Sequence, residues 1–175
     1  LESSITDRLK NFGYKSNKSG FSVGSGFEFY DNLYWNTGIS TYVEKLDTDS
    51  TASASMKKQE GSYFDTFFNH TFSYDKRNQR YQTSEGYISR FTQNIPLISK
   101  SYSLTNSYDY KIYNEWLDEN IFSIGFFGKT TNSLSGKDVK LSDRLFLPSS
   151  KLRGFESGKV GPKDGSDYIG GNYAA

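Results

Sequence analysis

Few residues in this chain could do chemistry, and their spacing excludes most of what they could do. Ser123-Ile124-Gly125-Phe126-Phe127-Gly128-Lys129-Thr130 nearly spells a phosphate-binding loop. Serine replaces the leading glycine, and no amphipathic helix pattern follows Thr130, so a phosphate would meet no helix N-terminus there. Asp118 and Glu119 are adjacent carboxylates in a segment that reads as a turn. Nothing near them would bury one more than the other, so their pKa values have no cause to separate into an acid and a base. Lys76, Arg77 and Arg80 gather beside tyrosines, which fits a solvated turn next to interfacial aromatics better than a nucleic-acid site. A single histidine, His70, and no cysteine leave neither a metal-ligand set nor a triad. With a formal net charge of +1, no strong field draws polyanions. The expectation is a protein that is no enzyme, holds no cofactor or metal, and has no nucleic-acid partner.

One further candidate is an arginine. The stretch Ser149 to Gly165 reads SSKLRGFESGKVGPKDG, with Leu152 and Phe155 around Arg153-Gly154 between flexible flanks. What an arginine does in such a loop depends on the wall that carries the loop.

That wall is written in a period of two, the signature of strands with one apolar face. From Phe21 the odd positions are Phe21, Val23, Ser25, Phe27 and Phe29, and the even ones are Ser22, Gly24, Gly26 and Glu28. The pattern repeats over 33–44, where Leu33, Trp35, Ile39 and Val43 oppose Asn36, Gly38, Ser40 and Glu44. Over 64–74, Phe64, Phe68 and Phe72 oppose Asp65, Asn69 and Ser73. Three more segments, 87–95, 101–112 and 121–127, continue it. The exceptions are Phe67, Ile88 and Phe127 on the polar face and His70 and Asn106 on the apolar one. A helical period fits none of these segments.

Six strands of about ten residues exceed the usual five or six of soluble sheets and match the 9–11 needed to cross a bilayer. The two longest connections, 44–61 and 130–168, fall on the same side of the sheet, an asymmetry typical of outer-membrane barrels. Aromatics such as Trp35, Tyr74, Tyr87, Tyr102 and Trp116 sit near strand ends, where interface girdles lie. Mean hydropathy is −0.71 and no run approaches a membrane helix, but a strand wet by lipid on one side escapes that criterion. A soluble sandwich or barrel with a dry core is the competing architecture. Lys45 to Glu60 reads as a polar, mobile loop. Leu1-Glu2-Ser3-Ser4 has no leader character and the chain stops at Ala174-Ala175 without a cap, so it reads as part of a longer protein.

On these grounds the arginine loop can be placed. Leu152-Arg153-Gly154-Phe155, followed by Val160-Gly161-Pro162, resembles the motif-bearing sixth loop of BamA-type outer-membrane assembly factors, in the bacterial surface antigen superfamily. Phe68 to Gly86 resembles the strand–turn–strand of that family, and Ile169-Gly170-Gly171-Asn172 resembles the start of its next strand. Relatives often have Gly-Gly shortly before the motif, where this chain has Pro148-Ser149.

The resemblance implies an all-β fold: part of a transmembrane antiparallel β-barrel of about sixteen strands, here six strands, the loop and the start of the next strand. Residues 1–175 form one partial barrel domain, with 1–19 an undefined lead-in, 130–168 the loop, and POTRA modules outside this chain. The implied function is folding and insertion of client β-barrel proteins into the bacterial outer membrane. Implied partners are those clients, accessory lipoproteins and the bilayer. Arg153 is implied to anchor the loop in the lumen, where a guanidinium fork suits a carboxylate on the inner wall. That partner lies on strands beyond this chain. A two-partner-secretion or TamA-like translocator is the alternative within the superfamily, and a soluble β-rich ligand-binding module the alternative outside it.

Overall fold

The computed structural model describes residues 2–7, 12–117 and 120–175, the first segment as backbone only. Asp118 and Glu119 lie outside the described residues.

The strands are β1 (Glu2–Asp7), β2 (Tyr14–Tyr30), β3 (Leu33–Thr48), β4 (Gly61–Asp75), β5 (Gly86–Ile98), β6 (Ser103–Leu117), β7 (Asn120–Ser133), β8 (Lys163–Asp164), β9 (Asp167–Tyr168) and β10 (Tyr173–Ala174). A single-turn helix, α1 (Ala54–Lys57), and a 3-10 turn, Leu141–Asp143, lie in the two long connections. One antiparallel sheet runs β1-β2-β3-β4-β5-β6-β7-β10, while β8 and β9 form a separate small hairpin. The main sheet is all-β and open, with β1 and β10 at its edges. No described helix is long and apolar enough to cross a membrane, which says nothing about strands.

The strands from β2 to β7 have 13–17 residues, longer than the ten expected. Alternation reports only the part of a strand with an apolar face. Tyr14 to Gly20 and Lys45 to Thr48 lack that face, so the ladder continues there unannounced. Part of the undefined lead-in is also strand, since Glu2–Asp7 pairs with Lys15 to Gly20. At the other end, pairing with β7 begins at Tyr173, slightly beyond the expected Ile169 to Asn172. Ser123 to Thr130 lies within β7 and opens no helix.

The two faces differ as the alternation requires. Phe21, Val23, Phe27, Phe29, Phe122 and Ile124 all stand exposed on the outward face. Each such side chain costs about 1.5–3 kcal/mol in water relative to an apolar medium, so a band of them calls for hydrocarbon. Trp35 stacks on Phe72 at 5.7 Å, and Tyr74, Tyr87 and Tyr110 follow one another across β4, β5 and β6 at 5.9 and 6.0 Å. Small residues let the concave inner face curve. A Cβ on Gly24 would meet the Thr37 carbonyl at 2.8 Å, and one on Gly38 the Val23 carbonyl at 2.7 Å.

Both long connections fold onto the inner face at one end of the wall. There Phe12, Tyr14, Leu46, Ala52, Met56 and Leu141 form a core, with Tyr63, Phe146, Tyr168 and Ile169 packed against it. This corrects the expectation of a mobile loop from Lys45 to Glu60. Ser53 caps α1 through the Met56 amide, Met56 is buried, and the Ser53 and Ser55 hydroxyls donate to Asp164. Few apolar residues suffice because the second loop supplies the other half of the core.

Candidate functional site: a loop anchored on the inner wall

Inner-facing positions near the loop end of adjacent strands carry two carboxylates, Glu44 on β3 and Asp65 on β4. Their registers make them diagonal neighbours: Glu44 pairs with Tyr63, and Tyr42 with Asp65. Both are fully buried. Two buried carboxylates side by side require a cation, and the loop after β7 delivers one. Lys140 Nζ lies 2.7 Å from Glu44 Oε2 and 2.8 Å from Asp65 Oδ2, and its side chain is 1% exposed. The Tyr63 ring covers the ammonium at 4.8 Å.

Hydrogen bonds complete the shell. The Ser16 and Ser142 hydroxyls donate to Glu44, the latter at 3.0 Å, and Ser99 donates to Asp65 at 2.6 Å. Lys18 stands 3.7 Å from Glu44. The Leu141 amide donates to Gln59 at 2.9 Å, and Tyr14 Oη donates to the Leu141 carbonyl at 3.2 Å. Val139 and Leu141, on either side of Lys140, are buried, so the segment is held by apolar packing as well as by charge.

The electrostatics are decided by burial against proximity. Burial alone would depress the Lys140 ammonium, but the carboxylates of Asp143, Glu44 and Asp65 outweigh it and hold its pKa above the usual lysine range. Asp143 lies farther from the ammonium, at 3.7 Å, and its Oδ2 has no hydrogen-bond partner among the described residues. Burial therefore wins there and raises its carboxyl above the usual range, against the pull of Lys140 and Lys18. Nearby, hydrogen bonds from Ser53 and Ser55 hold the half-buried Asp164 carboxyl below its usual range.

The arginine motif hangs further along the same loop. Leu152 is half-buried, while Arg153, Gly154, Phe155, Val160, Gly161 and Pro162 are exposed on this open wall. Gly154 and Gly161 adopt positive φ, 86° and 129°. Arg153 has no ion pair among the described residues. Its near neighbour Lys151 does touch the wall, 3.3 Å from Asp109 on β6 and 5.0 Å from the Phe127 ring centre on β7. Asp109 and Phe127 are direct cross-strand partners on the inner face. The loop thus descends from its Lys140 anchor to the middle of the inner wall. Gly158, at φ 76°, lies so close to Phe12 that a Cβ would come within 2.0 Å of the ring. A polar cavity of about 600 Å³ remains between loop and wall, lined by Lys18, Asn69, Thr105, Lys129 and Arg144 among others.

Sequence reasoning places the anchor at Arg153 and misses Lys140. Two signals point to it. Glu44 and Asp65 share the polar face at neighbouring strand ends, an arrangement that demands a counter-charge. Phe67 and Phe127, the aromatic exceptions on that face, mark where the loop covers the wall: Phe67 stacks on Tyr42 at 5.8 Å, and Phe127 lies under Lys151. The basic turn contains no comparable site. Arg77 makes a two-pronged pair with Asp75, both contacts at 2.7 Å, and Arg80 lies 5.8 Å from the Tyr34 ring.

Comparison with known proteins follows the same lines. Residues 3–175 match the family described as the Omp85 superfamily domain. The crystal structure of BamA from Haemophilus ducreyi lacking POTRA domains 1-3 is similar in fold, with a TM-score of 0.76 at 20% identity over 91% of this chain and 36% of that one. A SAM50-like protein of Schizosaccharomyces pombe is 51% identical over 41 residues, 23% of this chain and 9% of that protein. The matched part is well under two thirds of the length of either relative.

Proposed function

The chain belongs to the Omp85 superfamily, and from that premise we propose that it is part of the barrel of a factor that folds and inserts β-barrel proteins into an outer membrane. The observation that carries this reading is a loop bearing Leu152-Arg153-Gly154-Phe155 and Val160-Gly161-Pro162, folded back onto the polar face of a wall whose other face is apolar. The work asked of such a protein is templating, not bond chemistry. A client strand pairs with a strand edge, and main-chain hydrogen bonds supply the affinity. The templating edge belongs to strands outside this chain. The strands β2 to β7 serve as the fixed wall, and the loop braces the lumen.

In this reading Lys140 is the upper fastening and Arg153 the lower one. Arg153 pairs with an inner-wall carboxylate contributed beyond residue 175, and Phe155 packs beside that pair and excludes water. An unpaired charge within a barrel is costly, which favours such a partner. Residues 1–175 are then one section of the barrel domain, preceded by POTRA modules. Accessory lipoproteins and client barrels are its partners.

The similarity to a Schizosaccharomyces pombe protein supports a second reading of location: an organellar outer membrane in place of a bacterial one. Fractionation of the source cells distinguishes the two. The functional reading is tested by replacing the resident full-length protein with Arg153→Ala or Arg153→Glu and following client barrels by heat-modifiable gel migration. Slower client assembly is expected in both. Unchanged assembly and unchanged barrel stability in both would remove the anchoring role of Arg153.

A further inference from the structure

The outward face carries one continuous polar row. Ser25, Thr37, His70, Gln93, Asn106 and Thr130 are direct cross-strand partners in turn, one on each strand from β2 to β7. Its centre is hydrogen-bonded. His70 Nε2 lies 3.1 Å from Gln93 Oε1, and Gln93 Nε2 donates to Asn106 Oδ1 at 2.6 Å. Because Gln93 Oε1 can only accept, the imidazole carries its proton on Nε2. The other ring nitrogen, Nδ1, is buried with no partner among the described residues. At the far end of the relay the Asn106 carbonyl accepts from Gln93. Phe68, Phe72 and Phe91 surround the imidazole, with ring centres at 5.7, 5.5 and 6.3 Å.

In a bilayer such a row is expensive unless something satisfies it. Strands spaced about 4.8 Å apart and tilted about 40° carry a six-strand row through about 15 Å of membrane depth. Its centre, Gln93, falls in mid-strand, away from both interfaces. We propose that the row is the contact line of a symmetric pair, in which a second copy of this barrel docks on it within the membrane. This rests on the reading that the outward face meets lipid.

Three properties select a second copy over another occupant. First, a two-fold axis along the membrane normal keeps every atom at its own depth, so each copy presents its polar centre where the other needs it. A different transmembrane segment would need its own polar groups at that depth. Second, the carboxamides of Gln93 and Asn106 are self-complementary, since each offers both N–H and C=O and two copies can exchange both. Third, the row contains no Asp, Glu, Lys or Arg, so identical surfaces meet without opposing like permanent charges. Exposed Phe72, Phe91 and Tyr108 on the same face supply an apolar rim.

The test uses the full-length protein in its own membrane, in a cysteine-free background. Phe91→Cys, one outward position from Gln93, is treated with a flexible bismaleimide. The expected product has twice the protomer mass, with the peptide that carries the introduced thiol joined to a second copy of itself. Each polar contact between membrane segments changes association by a factor of about three to about thirty, so adding His70→Phe, Gln93→Val and Asn106→Val should lower the linked fraction about tenfold or more. Val23→Cys, on the same face but off the row's centre, should give far less product. Heat-modifiable migration reports whether the triple variant still folds, and Gln93→Met alone, which leaves most of the barrel surface intact, should lower the yield about threefold or more if it does not. Retention of the same samples in carbonate-washed membranes reports on the bilayer reading separately. Linkage of the introduced thiol to a different polypeptide, no product at all, or self-linking that persists undiminished without the row would overturn the proposal.

Discussion

Replacing Lys140 with methionine keeps the length of the side chain and removes its charge. Glu44 and Asp65 would then be left buried, with the ammonium gone from 2.7 and 2.8 Å. Breaking a buried pair from one side costs about 3–5 kcal/mol. Lys18 remains 3.7 Å from Glu44, and the carboxylates can take up protons, so the lower end of that range applies. A loss of about 3 kcal/mol raises the detached fraction of the loop by about two orders of magnitude. Hydrogen exchange reads this directly, because the Leu141 amide donates to Gln59 of the other long connection only while the loop is seated. The peptide spanning 139–146 should exchange about a hundredfold faster at neutral pH, while β4 and β5 peptides keep their protection. Adding Glu44→Gln and Asp65→Asn should restore most of the protection, since a neutral site has no stranded charge. Equal protection of 139–146 in wild type and Lys140→Met would refute the argument that the ion cluster holds the loop.

Three further outcomes are expected. Asp143 keeps its proton to higher pH in the seated loop than in a detached one, so its contribution to seating grows as pH falls from neutrality toward the ordinary carboxylate range and is lost as pH rises through the raised value; Asp143→Asn should flatten that slope in a pH series of loop exchange. Gly158→Ala combines a positive φ with a clash against Phe12 and should weaken loop seating by about 1–3 kcal/mol, read as faster exchange of the same peptide. Ile124→Arg, outward on β7, should destabilise the barrel by about 2–4 kcal/mol in lipid in a urea titration, whereas Ser123→Arg, one residue away and inward, should cost far less.

Much of the fold is legible because membrane strands announce themselves by what wets them. Phe21 to Phe29 and Phe122 to Phe126 alternate so strictly that only a sheet with one apolar face fits. Legibility ends where lipid ends. Tyr14 to Gly20 continue β2 without an apolar face, and no local pattern marks them. The core of Phe12, Leu46, Met56 and Leu141 draws one or two residues from each of several distant segments, so each looks isolated in the sequence. The site is legible in part. Arg153-Gly154-Phe155 with Val160-Gly161-Pro162 stands out through its resemblance to a family motif, whereas Lys140 is one of many lysines. Its meaning depends on Glu44 and Asp65, far away in sequence, and only the register of β3 against β4 brings those two together.

The central claim is that the faces of these strands meet different media, with lipid outside and the polar lumen and its loop within. A nitroxide scan along β7 in membranes measures this most directly. Labels at residues 122, 124 and 126 should collide with oxygen dissolved in lipid, and labels at 123, 125 and 127 with a water-soluble nickel chelate or with the seated loop. Accessibility should alternate residue by residue. A scan without that alternation, or with water reaching 122, 124 and 126, would contradict the account.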